Sequence, residues 1–151
     1  GLVGSEMCIR DSGETIRKVL LSGAEKLCGA VLVLSSHTEQ PLVRRTLPEI
    51  GYHIVQEKLC QAAGRFYIFW RAEPGQADDW TAEEVHYGRL LWVQNPPKML
   101  LDYCRYRIKV MDDCLTGLAS ATGDVSRIRG EIAAEIDFYQ RKIMELEGAP
   151  C

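Results

Sequence analysis

The chain has no CxxC pair and no His/Cys spacing of the kind that holds a metal; its six cysteines, at 8, 28, 60, 104, 114 and 151, are scattered. A structural metal centre needs closely grouped soft ligands, so none is expected, and the thiols read as reduced, in the manner of a cytosolic protein. No apolar run approaches the roughly 20 residues that span a bilayer, and no signal peptide is expected. The reading is therefore a soluble, cytoplasmic chain with no membrane partner. Neither sign of charge dominates, with 18 Lys and Arg against 21 Asp and Glu. That balance excludes a polyanion-binding surface spread over the whole molecule.

What charge there is lies in patches. Residues 73–84 hold Glu73, Asp78, Asp79, Glu83 and Glu84 with no Lys or Arg, whereas residues 89–109 hold Arg89, Lys98, Arg105, Arg107 and Lys109 against Asp102 alone. Residues 1–12 open the chain with no helical or strand period, and Met7-Cys8-Ile9-Arg10 stands apart from the periodic segments after it. This opening resembles the translated read-through of a sequencing adaptor. Residues 1–12 are accordingly expected to be a non-native artefact outside the fold.

From Glu14 the pattern changes. Ile16, Val19, Leu20, Ala24 and Leu27 recur at helical spacing, and Cys28-Gly29 closes the helix. Ala30 to Leu34 is then an unbroken apolar run, suited to a parallel strand covered on both faces. Ser35-Ser36-His37-Thr38 makes a polar turn. Glu39 to about Leu47 reads as a second helix with Thr38 as N-cap and Pro41 in the first turn. Residues 52–60 and 66–70 are rich in β-formers and read as a hairpin. Pro74-Gly75-Gln76 and the acidic run mark a linker, with a domain boundary near residue 75.

Beyond it, Thr81-Ala82-Glu83-Glu84 is a capping box that starts a short helix. Asn95-Pro96-Pro97 begins another, in which Leu101, Cys104, Ile108, Met111, Leu115 and Leu118 alternate three and four apart, a heptad seam. After Thr122-Gly123-Asp124, a second stripe runs through Val125, Ile128, Ile132, Ile136, Tyr139, Ile143 and Leu146 until Gly148-Ala149-Pro150. Two such helices joined by a short loop pack antiparallel as a coiled-coil hairpin.

Gly13-Glu14-Thr15-Ile16-Arg17-Lys18-Val19-Leu20, Leu32-Val33-Leu34, Val43-Arg44-Arg45-Thr46-Leu47, Gly64-Arg65-Phe66-Tyr67 and Tyr87-Gly88-Arg89-Leu90-Leu91 stand in an order that resembles the bacterial TrmK-like family. That family comprises S-adenosylmethionine-dependent tRNA adenine-N1 methyltransferases acting at position 22. The resemblance implies an α/β fold class: residues 13–75 as the carboxyl-terminal half of a Rossmann-type methyltransferase sheet, and residues 76–151 as a helical coiled-coil domain. It implies S-adenosylmethionine as cofactor and tRNA as partner. It also implies that the acidic, glycine-rich cofactor loop lies upstream of residue 13, so that this part alone is inactive, and that Gly13 matches the last glycine of a short motif beside the cofactor. With the neighbouring strand missing, the edge of Val31 to Leu34 would be unpaired, and self-association through it is expected. The alternative reading is a non-catalytic helical-hairpin module that binds protein or RNA.

Methyl transfer to a ring nitrogen is an in-line displacement that needs alignment and a pocket for an extruded base more than titrating groups. No catalytic residue is assigned. Ser35, Ser36 and His37 follow a parallel strand, where open α/β sheets place ligands, and are candidates for the base pocket; a simple helix-capping turn is the other reading. Arg44 matches a family arginine and is a candidate phosphate contact, or else a surface arginine paired with Glu39 or Glu49. At about 100° per residue, Lys98, Arg105 and Lys109 form one stripe away from the heptad seam, a track for a tRNA backbone or a solvated helix face. Tyr103, Tyr106 and Tyr139 are candidates for base stacking or for packing.

Overall fold

The computed structural model describes residues 6–148. The expectations for 1–5, for the stop at Ala149-Pro150 and for Cys151 lie outside the described residues. The chain forms two compact units, residues 1–95 and 96–151.

The first unit is a mixed four-stranded sheet with helices. In chain order it contains β1 (Glu6–Arg10), α1 (Gly13–Gly23), β2 (Val31–Ser36), α2 (Gln40–Glu49), β3 (Tyr52–Ala62), β4 (Arg65–Pro74), α3 (Ala82–Tyr87) and α4 (Leu91–Gln94), with a single 3-10 turn at Ala24–Lys26. The strand order is β1-β2-β4-β3. β1 and β2 run parallel, with α1 as their crossover; β4 is antiparallel to both β2 and β3. The helix, strand, helix and hairpin expected from residue 13 onward are all present.

Four expectations are corrected. Glu6–Arg10, set aside with residues 1–12, forms β1 and pairs in register with Val31–Ser35. The edge of β2 is therefore taken, and the free edge moves out to β1. Ser12 is the N-cap of α1, its hydroxyl accepting from Thr15 N–H at 3.2 Å. Thr38 does not cap α2: that place falls to Glu39, in the left-handed region at φ 54°, because Thr38 is drawn into a turn by Ser36. The break between units falls at Asn95/Pro96 and not near residue 75, since the segment carrying α3 and α4 is hydrogen-bonded to the β3 edge.

α1 and α2 bury one sheet face. Leu32 and Leu34 of β2 and Ile68, Trp70 and Ala72 of β4 join Ile16, Leu20, Val43 and Leu47 in a core whose members are at most 1% exposed. The residues between them, Val31, Val33, Phe69 and Arg71, point to the other face and are half-buried.

The second unit pairs α5 (Pro97–Leu118) with α6 (Ser126–Glu147). Arg105 near the start of α5 meets Glu147 at the end of α6, so the helices run antiparallel. The seam residues expected on α5 are all buried or half-buried, but Leu100 and Tyr103, one position before Leu101 and Cys104, are buried too, giving a wider apolar face than a strict heptad. Ile128 of the second stripe is 48% exposed. Tyr103 and Tyr139 meet edge to face at 5.9 Å and are buried, so they pack and are closed to bases.

Burial pushes the Cys104 thiol from its ordinary 9.0 up to about 12, against the pull of Lys142 and Arg105. Its folded value lies above its unfolded one, so the stability it contributes is intact below pH 9.0 and is lost as the pH rises toward 12. An alkylating reagent at about pH 8 is expected to label exposed Cys8, Cys28, Cys60 and Cys114 and to spare Cys104 until the chain unfolds. Mass spectrometry reads the difference, and prompt labelling of Cys104 in the folded chain would refute it.

Candidate functional site

The carboxyl ends of β1 and β2 lie side by side because the two strands are parallel, and the loops that leave them enclose a hollow of about 460 Å³. Its walls are Arg10, Asp11 and Ser12 after β1, Ser35, Ser36, His37 and Thr38 after β2, and Tyr67 from β4. Asp11 N–H donates to Ser35 O at 3.1 Å and Gly13 N–H to Thr38 O at 3.3 Å, which ties the two loops together. Four of the residues singled out from the sequence, Gly13, Ser35, Ser36 and His37, thus come to one place.

Their roles in it differ. Ser36 belongs to the turn, its hydroxyl donating to Thr38 O at 2.7 Å and accepting from Thr38 N–H at 3.1 Å. Ser35 is only 3% exposed, and its hydroxyl has no hydrogen-bond partner among the described residues. A buried hydroxyl without a partner is costly, and one that lines a hollow is placed to meet a ligand. His37 is exposed, with its ring 5.3 Å from that of Tyr67 and its Nε2 3.4 Å from Arg65 Nη1.

Gly13 is there for space. A Cβ on it would lie 2.3 Å from Glu39 O and 2.7 Å from Glu39 Cβ, so only glycine lets the α2 entry turn approach α1 this closely. Its N–H is committed to Thr38 and its open side is filled by Glu39. Gly13 is therefore a packing glycine between α1 and the entry turn of α2.

Arg44 is corrected as well. It is 2% exposed and forms no surface pair with Glu39 or Glu49; its Nε donates to Glu57 Oε2 at 2.7 Å, and its Nη1 donates to the carbonyls of Val85 at 3.3 Å and His86 at 3.1 Å. Glu57 is fully buried. Its Oε2 also accepts from Trp70 Nε1 at 3.0 Å, and its Oε1 accepts the backbone N–H groups of Arg89, Leu90 and Leu91 at 2.9, 2.9 and 3.2 Å. Farther along the same strand, Gln94 and Asn95 side chains accept from Glu57 N–H and Leu59 N–H, both at 2.9 Å, as a neighbouring strand would. The Tyr87-Gly88-Arg89-Leu90-Leu91 stretch is therefore a clasp on the β3 edge. A Cβ on Gly88, at φ 102°, would lie 3.0 Å from both Arg44 Nη2 and Leu91 Cβ, tighter than an ordinary contact.

In the second unit, Lys98 and Lys109 are exposed and have no ion-pair partner among the described residues, whereas Arg105 is shared between Asp102, at 4.0 Å, and Glu147. Burial pulls the Arg107 pKa down, but Tyr103, Tyr139 and Glu135 more than offset this and hold the guanidinium above its usual range. Arg107 belongs to the packing of the pair. Among the described residues no group of three His, Cys, Asp or Glu is placed to hold a metal ion, and no helix is long and apolar enough to cross a membrane.

The family model for tRNA (adenine(22)-N(1))-methyltransferases, TrmK, matches residues 12–143. No curated protein matches the sequence. Among solved structures, Sp1610 of Streptococcus pneumoniae, a candidate tRNA (m1A22) methyltransferase also seen in complex with S-adenosyl-L-methionine, is similar at 22% identity and a TM-score of 0.74 over 92% of this chain and 61% of that one. The B. subtilis m1A22 tRNA methyltransferase TrmK is similar at 19% identity and a TM-score of 0.71, over 92% of this chain and 63% of that one. M. capricolum TrmK, solved with S-adenosyl-homocysteine, gives 17% identity and a TM-score of 0.70, over 92% and 59%. This chain spans about three-fifths of the length of these proteins.

Proposed function

This chain belongs to the TrmK family of tRNA (adenine(22)-N(1))-methyltransferases, and from that membership we propose that it is the carboxyl-terminal part of a cytoplasmic enzyme that methylates N1 of adenine 22 in tRNA with S-adenosylmethionine. The observation that carries the reading is the hollow at the carboxyl ends of β1 and β2, with the Ser35 hydroxyl unpartnered in its wall, in a chain that matches the family nearly throughout. Open α/β sheets bind their ligands at that end.

The sheet is half of a Rossmann-type layer. Its support is the three-fifths coverage of the similar structures, together with a sheet of which α1 and α2 bury one face while Val31, Val33, Phe69 and Arg71 on the other are only half-buried. Sheets with parallel strands are usually covered on both, so Val31, Val33 and Phe69 face the remaining layer of the enzyme. The cofactor is gripped by that remaining part, and this part alone is inactive. In isolation the chain self-associates through the β1 edge and the half-exposed face. α5 and α6 act as a coiled-coil arm whose Lys98 and Lys109, with Arg105 exchanging Glu147 for phosphate, follow the tRNA backbone.

Methyl transfer to unmodified tRNA tests the reading. The chain alone is expected to give no product and no calorimetric signal with S-adenosylmethionine. The same chain extended to its complete reading frame is expected to methylate wild-type tRNA and to leave tRNA carrying G at position 22 untouched. Methylation at another position by the complete protein would overturn it.

A further inference from the structure

A second hollow, of about 290 Å³, lies at the opposite end of the sheet from the loops that follow β1 and β2. Tyr52 in its wall donates from its hydroxyl to Ala30 O at 2.7 Å, just ahead of β2, whose far end carries Ser35 and Ser36. α2 supplies Arg44 and Arg45 to this wall, the start of β3 supplies His53 and Ile54, and the segment after β4 supplies Asp78, Asp79 and Trp80. Its polar groups are short of partners. Arg45, Asp78 and Asp79 are exposed and form no ion pair among the described residues, although they line the same hollow. Opposite charges that share a wall without meeting leave it with a cationic side on α2 and an anionic side on the segment after β4. Arg44 Nη2 and His53 Nδ1 are buried with no hydrogen-bond partner among the described residues. Unmet buried nitrogens are costly, and both belong to the α2 and β3 side, so that side lacks acceptors.

We propose that this hollow binds a small zwitterion with an apolar body, the chemistry of a free amino acid whose side chain is apolar or aromatic. Its carboxylate meets Arg45 on the side that lacks acceptors, where a guanidinium can give two N–H groups to two oxygens. Its ammonium meets Asp78 and Asp79, and the indole of Trp80 attracts a cation as well. Its side chain lies against Ile54 and Trp80. One charge alone is not enough, because a plain anion is repelled by the two aspartates and a plain cation by Arg45. The size agrees: the volume is at the small end of ligand pockets and suits one amino acid rather than a nucleotide. The site goes beyond the methyl-transfer reading, since it lies apart from the hollow at the ends of β1 and β2 and involves no reaction. Occupancy ties α2 to the segment between β4 and the clasp, so the amides of residues 77–80 are expected to exchange more slowly with ligand bound.

Calorimetric titration of the full chain with L-phenylalanine, L-phenylalaninamide and N-acetyl-L-phenylalanine, with tryptophan fluorescence as a second signal, tests the site. Phenylalanine is expected to bind saturably, and each derivative, which lacks one of its two charges, to bind roughly tenfold or more weakly. Arg45→Gln is expected to erase the preference for phenylalanine over phenylalaninamide. Asp78→Asn combined with Asp79→Asn is expected to erase the preference over the acetylated compound. All three positions are exposed, and unchanged denaturant midpoints check that the variants are folded. Trp80→Phe is expected to keep binding and to remove the fluorescence change, which ties the signal to this hollow. No binding of phenylalanine at millimolar concentration, equal affinity for the three compounds, affinities untouched by the charge variants, or a fluorescence change that persists in Trp80→Phe would each overturn the site.

Discussion

Glu57→Ala is expected to cost the first unit about 3–5 kcal/mol, the penalty for stranding a buried charge, and to release the clasp on the β3 edge. The carboxylate gathers five donors: Arg44 Nε, Trp70 Nε1 and three consecutive backbone N–H groups. Its removal leaves all five without their acceptor, three of them, Arg44 Nε, Trp70 Nε1 and Leu91 N–H, buried. Arg44→Met is expected to cost less, because the carboxylate keeps the indole and the three amides, and charge-assisted bonds to backbone N–H are strong. Denaturant midpoints compare the two variants. Hydrogen exchange at Arg89, Leu90 and Leu91 reports the clasp, and fast exchange is expected only in Glu57→Ala. Equal midpoints for the two variants would show that the donors, not the carboxylate, organise this edge.

Gly13→Ala is expected to cost about 1–3 kcal/mol by overpacking, because the new methyl group meets backbone rather than a flexible side chain. Glu39 O would lie 2.3 Å from it, and Glu39 is already in the left-handed region, so the turn has little freedom to yield. The turn that must shift includes Thr38, a wall of the hollow. A lowered midpoint together with altered His37 and Ser35 signals is therefore expected. If stability is kept and only cofactor-dependent activity of the complete enzyme falls, Gly13 serves the ligand after all and its packing role is secondary.

The element order is legible because each helix and strand carries its own period. Ile16 and Leu20 recur on one side of α1; Thr81 and Glu84 form the capping box, with both of its hydrogen bonds present; residues 52–60 and 66–70 do form the hairpin. Where the local pattern misleads, the cause is distant in sequence. β1 is not recognisable from Glu6 to Arg10 alone, since five residues are too short for their alternation to stand out, and they form a strand because β2 offers its edge. The composition change at residue 75 marks a turn and not a parting, so it places the unit boundary some twenty residues early; the clasp beyond it holds the chain to the sheet.

Glu57 shows the limit most clearly. Counting by twos from Tyr52 and Ile54 puts Glu57 on the outside, with Gln56 and Lys58 inward. The register slips between Ile54 and Gln56, and this bulge turns Glu57 and Leu59 into the core and Gln56 and Lys58 out to solvent. Arg44 goes inward with it, although on its own helix it reads as a surface charge. The likeness of Tyr87-Gly88-Arg89-Leu90-Leu91 to the family is visible in the sequence, but not that its three amides bind a carboxylate more than thirty residues earlier.

The amino-acid order alone determined which segments are helices and strands, their succession and the family, because those follow from short-range spacing and from motifs in series. Which charged side chains are buried, which serine is left without a partner, and which tyrosine lines the hollow were decided by a one-residue slip and by strand neighbours far apart in the chain. Such pairings depend on where the backbone turns in space, and local periodicity carries no record of that.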